Sequence, residues 1–207
     1  MLHKLKWKLL PILFIHLSLV LVYASDQMNP PGKIIGGSLD SPIRIEVFSN
    51  FECSACREYY LRTIKKVLKE YCSVDKVCVI YHDFPFKSHK YDREAARYAE
   101  AAFRINRETL LKVMEALYRE QANWSQDGKL KDTIAKALPK NVYEELMQIA
   151  KDPGIYTIID EQYALAMEKG LQSTPTTFIF YPENQQRKAE GHIEYFVMKT
   201  LIDAVLK

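Results

Sequence analysis

Two cysteines at the junction of a predicted strand and a predicted helix constrain this chain more than any other feature of its sequence. The segment Ile43 to Phe48 (IRIEVF) alternates in polarity and is rich in β-branched side chains, as strands are. From Cys53 to about Tyr71, apolar residues recur at helical spacing. The C-x-x-C motif of Cys53 and Cys56 therefore begins a helix, where unpaired N–H groups and the helix dipole favour negative charge. We predict that Cys53 is an exposed nucleophile of low pKa and that Cys56 is the resolving thiol.

The motif alone leaves other uses of cysteine open, because structural disulfides and halves of zinc sites share it. The chain has four cysteines, and the remaining two, Cys72 and Cys78, are six residues apart and lack a C-x-x-C turn. No His-x-x-x-His pattern accompanies them. This spacing counts against zinc, and we expect neither a metal nor a cofactor.

The rest of the polarity pattern predicts a sheet interrupted by a long helical block. A second buried strand, Val77 to His82, completes a β-α-β unit. The helical segments that follow are Asp92 to Ile105, Glu108 to Glu120, Lys129 to Ala137, Val142 to Ile149 and Tyr156 to Glu168, with breaks at Asn123 to Gly128 and Lys151 to Gly154. The chain then returns to strands at Thr176 to Tyr181 and Arg187 to His192 and closes with a helix from Glu194 to Leu206. A helical block of this length between two parts of one sheet indicates an α/β fold with an inserted subdomain.

The N-terminus has the order of a secretory signal peptide. An uncharged apolar run from Leu9 to Tyr23 is followed by the small residue Ala24. Three basic residues precede the run: Lys4, Lys6 and Lys8. We predict that residues 1–24 are a signal peptide cleaved after Ala24 and that residues 25–42 are a turn-rich leader. An uncleaved membrane anchor is the alternative, although the run is shorter than the ~20 residues that span a bilayer.

The net charge of the chain and its predicted export exclude one class of partner and favour one kind of function. The three N-terminal lysines account for the formal net charge of +3, so the rest of the chain is neutral. A nucleic-acid partner is not expected without a basic surface. Export places the protein where disulfides persist, which favours a redox function for the C-x-x-C motif.

The residues that carry this chemistry also resemble a known family. Phe48 to Cys56 (FSNFECSAC), the helical insertion and Ser173 to Phe178 (STPTTF) resemble the DsbA-like thiol-disulfide oxidoreductases of the bacterial cell envelope, within the thioredoxin superfamily. The resemblance covers roughly residues 33 to 207 and implies a thioredoxin fold with an inserted all-helical subdomain. The implied domains are a thioredoxin-like domain at residues 43–83 and 171–207 and the helical insertion at residues 84–170.

The resemblance also implies a substrate-binding loop. In this family, the Pro of a later Thr-Pro or Val-Pro pair is cis and lies against the C-x-x-C motif. By position, Thr174 and Pro175 would form this cis-Pro loop and bind substrate beside Cys53. The alternative is an ordinary Pro at the start of an edge strand.

Several positions depart from the family pattern. Ser54 and Ala55 lie between the two cysteines, where many members have Pro after the first cysteine. Val47 occupies the position six residues before the nucleophile, where many members carry a buried acid. Glu46 is one residue away and should point to the opposite face of its strand, so we do not assign it that role.

Three further side chains could contribute to the fold or the site. Cys72 at the end of the first helix and Cys78 in the next strand are predicted to form a structural disulfide; two buried free thiols and a second redox relay are the alternatives. His89 precedes the Ala-rich helix at a family-like position near the active face; a capping or surface role is the alternative.

The leading hypothesis is an exported disulfide oxidase of the periplasm or cell envelope. It would donate the Cys53–Cys56 disulfide to reduced or unfolded exported proteins and be reoxidised by a membrane partner, DsbB-like or a similar quinone-linked protein. We expect a monomer, because only residues 25–42 precede the first clear strand and leave no room for a dimerisation region. The alternatives are a disulfide reductase or isomerase, and a non-catalytic binding module whose C-x-x-C motif is a structural bridge.

Overall fold

A five-stranded mixed sheet forms the centre of the fold. The computed structural model describes residues 31–207, and the signal peptide predicted for residues 1–24 lies outside them. The strands are β1 (Lys33–Gly36), β2 (Ile43–Ser49), β3 (Val77–Asp83), β4 (Thr176–Tyr181) and β5 (Gln185–Glu190). Their order across the sheet is β1-β3-β2-β4-β5; β2 and β3 are parallel and every other neighbouring pair is antiparallel. The predicted strand at Arg187 to His192 is therefore found two residues earlier, as β5.

Helices cover the sheet and form the insertion. In chain order they are α1 (Ser54–Tyr59), α2 (Lys65–Glu70), α3 (Asp92–Ile105), α4 (Arg107–Arg119), α5 (Gln121–Asp127), α6 (Leu130–Ala137), α7 (Lys140–Ile149), α8 (Gly154–Glu168) and α9 (Tyr195–Val205). A π-helical turn, Tyr60–Ile64, joins α1 to α2. The three pieces make the helical crossover that the parallel strands β2 and β3 require. The thioredoxin-like fold with a helical insertion is thus confirmed.

One predicted break in the insertion is wrong. Asn123 to Gly128 was expected to be a loop, but α5 occupies Gln121–Asp127. Burial of Trp124 explains the helix, because its indole N–H donates to the carbonyl oxygen of Leu117 at 2.6 Å and its ring is fully buried. Gly128, at φ 74°, then ends the helix in the left-handed conformation that glycine adopts readily.

The two faces of the sheet pack against different partners. Ile45 and Val47 of β2 point into the larger core, which includes the crossover helix, α9 and much of the insertion. Phe48, the residue after Val47, points to the other face and packs with Phe178 and with residues of α8. The side chains of β2 thus alternate with the period of 2 by which the sequence predicts this strand, and the structure shows that both of its faces are buried.

A buried ionic cluster ties the edge strand β1 to the insertion. The Nζ atom of Lys33 lies 2.5 Å from Oδ2 of Asp83 and 3.4 Å from Oε2 of Glu100. All three side chains are almost wholly inaccessible to solvent, so each charge depends on the others for compensation. β1 also pairs with β3 and so belongs to the sheet, although it lies within the predicted leader segment, residues 25–42.

Candidate active site

Cys53 caps the first helix of the crossover. Its backbone is extended, with φ −78° and ψ 121°, and its Sγ atom accepts a hydrogen bond from the backbone amide of Cys56 at 3.3 Å. The residue is half-buried, so its sulfur can be approached from solvent. β2 ends at Ser49, and the short turn that follows it places Cys53 at the start of α1.

The surroundings of Cys53 stabilise its thiolate. Hydrogen bonding from the Cys56 thiol contributes most, and the Thr174 hydroxyl and the amides of Cys56 and Ala55 add to it. Together these donors outweigh burial and lower the pKa of Cys53 to about 5. At neutral pH the residue therefore carries the thiolate, which is the nucleophilic form of cysteine.

Cys56 has the opposite character. It is buried, with 1% of its surface exposed, one helical turn after Cys53. Burial, first, and the neighbouring Cys53 thiolate raise the pKa of the Cys56 thiol well above its ordinary value, while hydrogen bonds with Ser49 and Thr174 act in the other direction. The pair thus holds one proton at neutral pH, and that proton lies on the inner sulfur.

The loop before β4 lies against the outer sulfur. The Thr174–Pro175 peptide bond is cis, which is the isomer that the family resemblance implies. The Sγ atom of Cys53 lies 3.4 Å from the carbonyl oxygen of Thr174. The carbonyl oxygen of Pro175 accepts a hydrogen bond from the amide of Gly191 at 2.7 Å, so the residue that follows β5 holds the loop in place.

Two side chains of the helical insertion hold the segment that carries Cys53. The Oδ1 atom of Asp92, at the start of α3, accepts a hydrogen bond from the amide of Phe51 at 2.7 Å. The amide side chain of Gln121, at the start of α5, donates to the carbonyl oxygens of Phe51 at 2.6 Å and Cys53 at 2.9 Å. Sequence reasoning missed both residues. Gln121 falls at a helix start that the pattern does not predict, so the sequence gives no signal for it.

His89 lies beside the turn before Cys53. Its Nδ1 atom is 3.0 Å from Oδ1 of Asn50, and the same oxygen accepts the backbone amide of Glu52 at 2.9 Å. The carboxylate of Glu52 accepts the backbone amide of Tyr91 at 2.7 Å. Through these contacts, His89 and Tyr91 are linked to Asn50 and Glu52 of the turn that precedes Cys53.

The strand residues next to the motif separate onto two faces. Val47 lines a small cavity together with Cys56, whereas Glu46 lies 3.0 Å from the Arg44 guanidinium and 3.4 Å from Nε2 of His82. The carboxyl of Glu46 thus belongs to the opposite face of β2, as its position in the alternation predicts.

Cys72 and Cys78 lie apart from the C-x-x-C motif. Cys72 is in a short 3-10 helix, Cys72–Val74, and Cys78 is in β3; both are buried. All four cysteines are free thiols in this structure, so the Cys72–Cys78 disulfide stays a prediction. Burial raises the pKa of Cys72 to about 12 and that of Cys78 to about 11, which makes both thiols poor nucleophiles.

Residues 31–207 contain neither a metal-binding cluster nor a membrane-spanning helix. Within this range, no group of three or more His, Cys, Asp or Glu side chains is arranged to bind a metal ion. No helix there combines the length and apolar character needed to cross a bilayer.

Comparison with known proteins places this geometry in a family. A sequence model of thioredoxin matches residues 29–204. The chain belongs to the thioredoxin family. This assignment covers nearly all of the described chain, including the insertion and both parts of the sheet.

Relatives of this thioredoxin-family chain share its DsbA-like organisation. The probable disulfide bond formation protein D of Bacillus cereus is 22% identical over 147 residues, which are 69% of this chain and 68% of that protein. The crystal structure of alpha-DsbA1 from Wolbachia pipientis superposes with a TM-score of 0.70 at 21% identity and covers 86% of this chain and 92% of that one. Oxidised BdbD from Bacillus subtilis gives a TM-score of 0.69 at 20% identity, with 85% and 93% covered. These similarities confirm a DsbA-like thioredoxin fold.

The family and the site geometry together define the class of enzyme. Two cysteines of opposite protonation lie within one helical turn, and a cis-proline loop lies against the outer one. This thioredoxin-family protein is a thiol-disulfide oxidoreductase.

Proposed function

We propose that this enzyme is an exported disulfide oxidase that donates the Cys53–Cys56 disulfide to newly exported proteins. The observation that carries the proposal is the lowered pKa of Cys53, to about 5. A thiolate exists only in the reduced protein, so every group that stabilises it favours reduction of the enzyme's own disulfide. An enzyme whose reduced form is favoured is an oxidant of other thiols.

Each cysteine has a separate role in the proposed reaction. A substrate thiolate attacks the Sγ atom of Cys53, a substrate–Cys53 bond forms, the Cys53–Cys56 bond breaks, and its electron pair stays on the sulfur of Cys56. A second substrate thiolate then attacks the first substrate sulfur and displaces Cys53 as a thiolate. The substrate has lost two electrons and gained a disulfide. The enzyme has gained two electrons; Cys56 takes up one proton, and the other is released to solvent.

The accessibility difference between the sulfurs supports these roles. Cys53 is half-buried whereas Cys56 has 1% of its surface exposed, so an incoming thiolate reaches Cys53 first. The loop of Thr174 and Pro175 is proposed to bind the substrate backbone beside that sulfur, because the carbonyl of Thr174 already lies 3.4 Å from it.

The direction of the reaction is tested by the redox potential of the cysteine pair. Equilibration of the purified protein with reduced and oxidised glutathione should give a potential above about −270 mV, the value of thioredoxin. A Cys72→Ser/Cys78→Ser variant, measured in parallel, ensures that only the Cys53–Cys56 pair is observed. A potential near the thioredoxin value would instead identify a disulfide reductase, and a pair that does not exchange with glutathione would indicate a binding module.

The proposed compartment and partner follow from the same chemistry. A disulfide donor is useful where unfolded chains arrive reduced, and after each turnover a membrane protein, DsbB-like or similarly quinone-linked, would restore its disulfide. Expression in a bacterial host followed by intact-mass measurement tests export, since cleavage after Ala24 would leave Ser25 as the first residue. An intact N-terminus in the membrane fraction would support the uncleaved anchor.

A further inference from the structure

A line of three buried hydroxyl groups leads away from the inner cysteine. The Oγ atom of Ser49, at the end of β2, lies 3.0 Å from the hydroxyl of Tyr118 on α4. The Tyr118 hydroxyl lies 2.7 Å from that of Tyr81 on β3. All three residues are at most 3% exposed, and Ser49 and Tyr81 line the same small cavity as Cys56.

Apart from Ser49, Thr174 and the neighbouring Cys53, the environment of Cys56 offers its sulfur little polar support. The cavity measures about 10 Å³, which is the lower limit for a single water molecule, and aliphatic and aromatic side chains form most of its wall. No carboxyl group lines it, and Val47 occupies the wall where an acid would be placed by the family pattern. A thiolate on Cys56 is therefore poorly hydrated and depends on donors within the protein.

When Cys56 is ionised, its negative charge determines which of the three hydroxyls donates and which accepts in each hydrogen bond. A thiolate only accepts hydrogen bonds, so Ser49 must donate to it. The Ser49 oxygen then accepts from Tyr118, and the Tyr118 oxygen accepts from Tyr81, since each hydroxyl has a single proton. Hydrogen bonds linked in this way polarise one another and strengthen the last bond of the chain.

We propose that Ser49 is the hydrogen-bond donor that stabilises the Cys56 thiolate during thiol-disulfide exchange, and that Tyr118 and Tyr81 are positioning residues that orient the Ser49 hydroxyl. The inference rests on the proposed roles of the two cysteines but holds for either direction of the reaction. When Cys56 resolves a Cys53–substrate disulfide, its thiolate attacks Sγ of Cys53 and the Cys53–Cys56 bond forms. The Cys53–substrate bond breaks, and its electron pair leaves on the substrate sulfur. In the donating direction, the same negative charge returns to Cys56 when the bond between the two cysteines breaks.

Electrostatics around the inner sulfur are consistent with this assignment. Burial is the largest influence on Cys56 and raises its pKa, while hydrogen bonds with Ser49, first, and Thr174 lower it. The other titratable groups around Cys56 and its line of hydroxyls are Cys53, the tyrosines Tyr59, Tyr60, Tyr81 and Tyr118, and the buried Asp92, which faces Tyr118 and whose pKa burial raises well above its ordinary value. Burial raises the pKa of each of these tyrosines above its ordinary value, so all four are neutral hydroxyl donors at neutral pH.

The proposal is tested by the rate at which Cys56 resolves a glutathione adduct. Reduced protein is mixed with oxidised glutathione and quenched with acid at increasing times, and mass spectrometry follows the Cys53–glutathione adduct and its conversion to the Cys53–Cys56 disulfide. Loss of one hydrogen bond to a charged group in Ser49→Ala should raise the pKa of Cys56 by about one unit. The thiolate fraction then falls about tenfold while each thiolate becomes roughly threefold more nucleophilic, so resolution at pH 7 slows by about threefold and its pH profile moves upward.

Matched variants separate a hydrogen-bond role from a structural one. Ser49→Thr keeps the hydroxyl and should resolve the adduct at the wild-type rate. Tyr118→Phe should give an intermediate rate, because Ser49 keeps its hydroxyl but loses its orienting partner, and Tyr81→Phe should give a smaller change still. Adduct formation by Cys53 should be the same in all four variants.

Each result decides the question. A Ser49→Ala protein that resolves the adduct at the wild-type rate and with the wild-type pH profile would overturn the proposal, as would equal slowing in Ser49→Thr. Failure of the wild-type protein to form an adduct would remove the exchange role of Cys53 itself, and this outcome differs from an unchanged resolution rate.

Discussion

The Sγ atom of Cys53 lies 3.4 Å from the carbonyl oxygen of Thr174, although the two residues are 121 positions apart in the chain. This contact brings the two ends of the interrupted sheet domain together at one point. One end supplies the sulfur of low pKa, and the other supplies a backbone edge fixed by its hydrogen bond to Gly191. A polypeptide bound along that edge would present its own sulfur to Cys53.

The first prediction concerns the separate roles of the two cysteines. Cys56→Ser should accumulate mixed disulfides with exported proteins, because Cys53 can still react while no second thiol remains to release the adduct. Cys53→Ser should accumulate none, because Cys56 is buried and its pKa is raised. Non-reducing electrophoresis of both variants measures the adducts, and equal trapping by the two would contradict the assigned roles.

The second prediction concerns Cys72 and Cys78. Replacing both with Ser should leave glutathione exchange unchanged, since neither belongs to the C-x-x-C site. If they form the predicted disulfide, the double variant should lose about 2 kcal/mol of unfolding free energy through the lost loop closure.

A reductant distinguishes this disulfide from two buried thiols. In a Cys53→Ser/Cys56→Ser background, the disulfide predicts that dithiothreitol lowers the unfolding free energy measured in urea. Stability that is indifferent to the reductant would identify the two residues as free thiols, which is the state in this structure. Slower exchange in a fully folded Cys72→Ser/Cys78→Ser protein would reveal a relay between the two pairs.

The third prediction concerns Gln121, which links the insertion to the active-site turn. Gln121→Ala removes the donor to the carbonyl oxygens of Phe51 and Cys53 and leaves both with one partner fewer. The unfolding free energy should fall by about 1–3 kcal/mol, the usual cost of breaking a buried hydrogen bond. Glutathione exchange should also slow, because the turn that positions Cys53 is no longer held.

A neighbouring glutamine provides the control for this measurement. Gln126 lies on the same helix and is exposed, so Gln126→Ala should change neither stability nor exchange beyond about 0.5 kcal/mol. If the two substitutions lowered stability and exchange equally, the effect would come from loss of any glutamine in α5, and Gln121 would have no particular role.

Local patterns were sufficient to predict most of the fold. The alternation in Ile43 to Phe48 and the helical spacing after Cys53 identified the strand, the helix and the junction between them, because each signal arises from residues close in sequence. The break predicted at Asn123 to Gly128 failed for the opposite reason. Its polar residues resemble a loop, and the burial of Trp124 that makes it helical depends on the packed insertion.

Sequence patterns do not identify the residues that support the active-site turn and Cys56. Asp92 and Gln121 act on the active-site turn across 41 and 70 positions, counted from Phe51. In the sequence Ser49 is an ordinary strand residue, and only the structure shows that its hydroxyl is hydrogen-bonded to Tyr118 and, through it, to Tyr81. Contacts of this kind arise from tertiary packing, so no local periodicity marks them.

The fourth prediction follows from the lowered pKa of Cys53. The rate at which iodoacetamide alkylates the reduced protein should rise with a midpoint near pH 5 and be almost constant at neutral pH, because only the thiolate reacts. The same shift affects stability. Between the folded pKa of about 5 and the unfolded value of ~8.5, the unfolded chain holds a proton that the folded protein has lost, so the unfolding free energy of the reduced protein rises with pH relative to Cys53→Ser. The advantage is complete above ~8.5 and disappears as the pH falls through 5. The oxidised protein should lack this dependence, and a midpoint near the ordinary cysteine value would show that the hydrogen bonds around Cys53 do not stabilise its thiolate.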